Sequence, residues 1–60
     1  MNIALKHYKV RIYSKVTHRC IDEVRIISDG YAAALVDAST YCKQHYQNAY
    51  IQSVDLIVAP

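Results

Sequence analysis

Sixty residues suffice for one domain, 1–60, and a chain this short hides only about 60% of the surface its unfolded form exposes, so a partner or second copy would add stability. Hydrophobic residues make up 53% and charged residues 20%, with one Gly and one Pro, which excludes a disordered or low-complexity chain. The formal charge of +2 argues against a dedicated nucleic-acid binder, which carries a clustered basic stripe and a higher isoelectric point.

Met1 to Leu5 is too short and too polar for a secretory segment, and no apolar run approaches the roughly 20 residues that span a bilayer. The expectation is a soluble cytoplasmic protein without membrane contact. HYKVRIYSK, 7–15, alternates Tyr8, Val10 and Ile12 with Lys9, Arg11 and Tyr13, the period of a strand with one buried and one mixed face. VTHR, 16–19, turns the chain without the Asn-Gly type of dipeptide that fixes a tight hairpin. CIDEVRII supplies a second strand, with Cys20, Val24 and Ile26 inward and Asp22 near the turn. SDG, 28–30, starts a helix, because the side chain of Ser28 or Asp29 can accept from free amides of the first turn.

That helix is predicted over 31–46, with an apolar stripe of Tyr31, Ala34, Leu35, Ala38, Tyr41, Cys42 and His45 whose alanines allow close approach to a sheet. QNA, 47–49, breaks the pattern. YIQSVDLIV then resumes alternation, with Tyr50, Val54, Leu56 and Val58 on one face and Ile51, Ser53, Asp55 and Ile57 on the other.

Strand, strand, helix, strand with a right-handed crossover gives an α+β fold: a three-stranded antiparallel sheet of order 2-1-3 with one helix packed on one face. The uncovered face would carry Tyr13, Ile21, Ile27, Ile51 and Ile57 among Lys9, Arg11, Glu23, Arg25, Ser53 and Asp55. An antiparallel sheet can leave one face wet, but that face is usually polar. The apolar members would amount to roughly several hundred Å², near the largest patch of an ordinary monomer. Hiding it would favour association by several kcal/mol at about 25 cal/mol per Å², before entropy costs. Lys9, Arg11, Tyr13, Ile21, Arg25, Ile27, Ile51, Asp55 and Ile57 are therefore the expected partner-binding residues.

Chemistry has little to stand on. His18, Cys20, Cys42 and His45 are the one constellation resembling a metal site, yet no paired-cysteine or paired-histidine knuckle is present, and both cysteines are needed in the core. Two cysteines are also too few for a disulfide framework, and both are expected as free thiols. Neither thiol has an electropositive setting with a positioned base; adjacent Asp22 and Glu23 point to opposite faces of a strand; the single glycine forms no phosphate loop. No metal, no cofactor and no enzymatic activity are expected. The six tyrosines suit recognition, since Tyr packs its ring and offers its hydroxyl; Tyr13 and Tyr46 are the better contact candidates, the others fitting the core margins.

From Glu23 onward the chain resembles the small early inhibitor of bacterial RNA polymerase made by T-odd podophages: Glu23, Val24 and Ile26, then Ala34 and Leu35, Ala38 one turn on, Val54, and the terminal Val58, Ala59 and Pro60. The resemblance implies one helix on a three-stranded antiparallel sheet, and a phage-encoded protein that disables a host complex by contact; that contact is expected through the open sheet face or the sheet edge next to the third strand. Polymerase is one target and a defence complex such as a CRISPR effector another, in the host cytoplasm. That family grips polymerase with basic side chains of its last strand; the aligned positions here are Ser53 and Asp55. Two rivals stand beside this expectation: a nucleic-acid module using Lys9, Arg11, Tyr13 and Arg25, and a structural homodimer.

Overall fold

A computed structural model describes residues 4–57. Val58, Ala59 and Pro60 of the resemblance, and Met1 to Ile3, lie outside the described residues. Strand β1 spans Lys6–Ser14, β2 Cys20–Ser28, helix α1 Tyr31–His45 and β3 Ala49–Ile57. The sheet is antiparallel in the order β2-β1-β3, with α1 on one face.

Alternation in β1 decides the core. Tyr8, Val10 and Ile12 are buried and Val10 and Ile12 fully so, because β1 is central and its inward side chains have a strand on either side and the helix above. Val10 stands between Val24 and Val54, and Tyr8 between Ile26 and Leu56. The helix touches the sheet along Ala34, Ala38 and Cys42, one turn apart, where small side chains let its backbone come close. This contact line is narrower than the predicted stripe: Tyr31, Leu35 and His45 are exposed. Tyr31 sits at the margin, its ring edge-on to Tyr8 at 6.5 Å.

Helix entry differs from expectation. Gly30 occupies the cap in an extended conformation with no side-chain hydrogen bond, so neither Ser28 nor Asp29 caps; Ser28 ends β2 and is buried. At the exit the Tyr46 amide donates to the Cys42 carbonyl at 2.9 Å, and Lys43 and His45 lie where the helix dipole favours positive charge. The β1–β2 loop is held by Ser14, whose hydroxyl accepts from the Val16 and Thr17 amides at 3.1 and 3.2 Å. His18 completes the reversal in the left-handed region at φ 57°, which His tolerates better than most side chains.

Two bulges overturn part of the predicted facing. Along β2, Ile12 opposes Asp22 and Tyr13 opposes Cys20, leaving Ile21 unopposed; along β3, Arg11 opposes Ser53 and Ile12 opposes Ile51, leaving Gln52 unopposed. An extra residue flips every side chain beyond it. Cys20 is therefore exposed instead of inward, Ile51 packs on the core instead of the open face, and Tyr50 opposes Tyr13 instead of joining the core.

Candidate binding face

The face away from the helix is a grid of four rows across β2, β1 and β3. They run Ile27–His7–Ile57, Arg25–Lys9–Asp55, Glu23–Arg11–Ser53, and Cys20–Tyr13–Tyr50. Aromatic rings close one end and isoleucines the other, with charge between. Ile27 is 54% exposed, while Tyr13, Tyr50 and Ile57 are half-buried. The Tyr13 and Tyr50 rings are 6.0 Å apart and tilted by 47°.

Glu23 lies 3.7 Å from Lys9 Nζ and 3.6 Å from Arg11 Nε, both long and exposed contacts that hold the side chains in place more than they stabilise the fold. Arg25 and Asp55 form no ion pair among the described residues. A shallow depression of about 190 Å³ opens between Lys9, Glu23, Arg25 and Ile57. The grid thus unites Lys9, Arg11, Tyr13, Arg25, Ile27, Asp55 and Ile57 of the predicted contact set. Ile51 is not among them, and Ile21 stands at the bulge without a cross-strand partner, 44% exposed. Tyr50 and His7 are additions.

No family model, curated protein or solved structure matches the chain. Among the described residues no helix is long and apolar enough to cross a membrane, and no three His, Cys, Asp or Glu side chains gather as metal ligands. Of the four residues weighed for a metal, Cys42 is buried and Cys20 exposed.

On the helix side sits a cluster that sequence alone did not reveal. Asp22 Oδ2 accepts hydrogen bonds from Tyr46 Oη at 2.6 Å and Tyr41 Oη at 2.9 Å, and Oδ1 accepts from the Glu23 amide at 2.8 Å. Asp22 is thus an inward residue of β2 at the end near the turn, and the Tyr46 hydroxyl is engaged by its carboxylate. The carboxylate clamps the end of α1 to the edge of the sheet. The hydrogen bonds from Tyr46 and then Tyr41 hold the Asp22 carboxyl below its ordinary value, against a smaller opposing effect of burial. By the same contact the Tyr46 hydroxyl is pushed up to about 12 and that of Tyr41 is raised.

The sign follows from linkage. A depressed carboxyl contributes stability that is present above its unfolded value of about 3.9 and is lost as pH falls through the lower folded value. A raised phenol contributes stability that is complete below about 10 and is lost as pH climbs through about 12. Asp22→Asn and Tyr46→Phe are each expected to lower the melting temperature near neutral pH and to weaken its dependence on pH below about 4. Melting curves of variant and parent that stay parallel through the acid range would show the clamp idle.

Proposed function

We propose that the chain is a small binding protein that disables a host protein complex by covering part of its surface through the open sheet face. The observation that supports this is the grid: among the described residues no segment of the chain crosses it, and it sets Tyr and Arg, the side chains most enriched at protein contacts, among isoleucines on a rigid sheet. Occlusion needs a fixed patch and slow release, and no catalytic group.

The phage polymerase inhibitors that the chain resembles supply the class of target: bacterial RNA polymerase, or a defence complex such as a CRISPR effector, in the host cytoplasm. Ser53 and Asp55 leave β3 without positive charge on this face, and Lys9, Arg11 and Arg25 carry it on β1 and β2 instead. A target engaged here meets a cationic centre displaced by one or two strands from that of the inhibitors it resembles, which favours a different subsite or a different complex.

The test joins Arg25→Glu with Ile27→Glu, both at exposed positions. The variant should melt within a few degrees of the parent. Its binding to immobilised RNA polymerase or CRISPR effector, whichever the parent binds, should weaken about 30-fold or more. Retained affinity would remove the face from consideration, and a dimer in light scattering that the variant turns monomeric would assign it to a second copy.

A further inference from the structure

We propose that the loop end of the open face binds single-stranded nucleic acid, with Tyr13 and Tyr50 as a stacking platform and Arg11, Lys15 and Arg19 along the phosphates. This goes beyond the protein contact argued above and draws on the opposite end of the grid from Arg25 and Ile27.

The platform is a consequence of the β3 bulge. Gln52 takes the unopposed position, so Tyr50 leaves the helix side and stands directly across from Tyr13 on the neighbouring strand, rings 6.0 Å apart. Both rings are half-buried and tilted by 47° to each other, so each would take a separate base, and stacking tolerates any base. Sheet-based readers of single strands use aromatic side chains on adjacent strands in this way, and bases locked in a duplex cannot reach such a surface.

Charge at this end has the right sign. The β1–β2 loop begins at the platform: the Ser14 amide donates to the Arg19 carbonyl at 2.9 Å, and the Lys15 amide to the Asn48 carbonyl at 2.8 Å, beside the start of β3. Lys15 and Arg19 are exposed and in no ion pair among the described residues, and Arg11 adjoins Tyr13 one row away. The acids that could cancel Lys15 and Arg19 are occupied or elsewhere, while Arg11 shares Glu23 with Lys9. Asp22 is on the helix side beneath two tyrosine hydroxyls, Glu23 is shared by Lys9 and Arg11, Asp55 is two rows off, Asp29 follows the far end of β2, and Asp37 is on the helix. A net charge of +2 for the chain therefore understates the local field.

Fluorescence anisotropy with labelled ten-nucleotide oligo(dT) and oligo(rU), against a duplex of the same length, tests this. Single strands should bind at micromolar strength and the duplex at least about tenfold more weakly; the ratio of oligo(dT) to oligo(rU) reports whether sugar type matters. With three cations engaged, the slope of log affinity on log salt should be about −2, so binding falls roughly 15-fold between 50 and 200 mM salt. Tyr13→Phe with Tyr50→Phe should bind as the parent does, and Tyr13→Ala with Tyr50→Ala about tenfold or more weakly, since each stacked base contributes by its ring. Lys15→Ala with Arg19→Ala changes only exposed side chains, and should flatten the slope by about 1.4. That variant decides the matter if the double alanine variant unfolds. An absence of binding at 50 mM salt, equal affinity for duplex, full competition by poly-glutamate, or an unaltered slope would each overturn the proposal. None of those results bears on capture of a protein complex through Arg25 and Ile27.

Discussion

Ile12→Ala is expected to leave a large share of the molecules unfolded at 25 °C. Ile12 and Val10 are the largest fully buried side chains, and Ile12 belongs to the cluster with Val10, Ala38 and Cys42. It lies on the central strand with Asp22 on one side and Ile51 on the other, so the cavity left by truncation has stiff walls that cannot collapse into it. Such a truncation costs about 2–5 kcal/mol. A domain of this length holds only about 3–9 kcal/mol in all. The milder Ile12→Val should cost about 0.5–1.5 kcal/mol and leave a folded domain. Urea titration followed by far-UV circular dichroism measures both. If the alanine variant lost less than about 1 kcal/mol, the core would not lie between Ile12 and the helix, and the open face would not be the open one.

That dependence explains which parts were legible in the sequence. Tyr8, Val10 and Ile12 alternate with Lys9, Arg11 and Tyr13, and an Ala34–Ala38–Cys42 spacing reads as a helix flank made for close approach, so strand order and the covered face followed from period and handedness alone. The bulges did not follow. Ile21 and Gln52 are ordinary strand residues with no Gly or Pro to mark them, and they stand unopposed because of how two strands fit a third, a tertiary choice. Strict alternation read through Gln52 exchanged Tyr50 for Ile51, and with it the second ring of the platform. Asp22 had a faint signal: an acid in inward register must find donors. The hydroxyls of Tyr41 and Tyr46 that supply them are 19 and 24 residues away in the chain, and only the folded helix brings them in.

Ala38→Leu tests how tightly that helix is set on the sheet. Ala38 is fully buried at the middle of the contact line, between Ala34 and Cys42 and above Val10 and Ile12. Leucine forms helix nearly as well as alanine, so the intrinsic preference of α1 barely changes and any effect is tertiary. The added carbons have to lift the helix or twist Val10 and Ile12 off their rotamers, at about 1–3 kcal/mol. Ala32→Leu, on the exposed side of the same helix, should stay within about 0.5 kcal/mol of the parent. Lifting the helix also draws Tyr41 and Tyr46 away from Asp22, since both hang from its end. Ultraviolet titration of the still-folded fraction should then show Tyr46 ionising below its value of about 12, closer to an ordinary phenol. A variant as stable as the parent, or one with an unmoved tyrosine titration, would mean that the helix has slack above the sheet and that the alanines do not set its height.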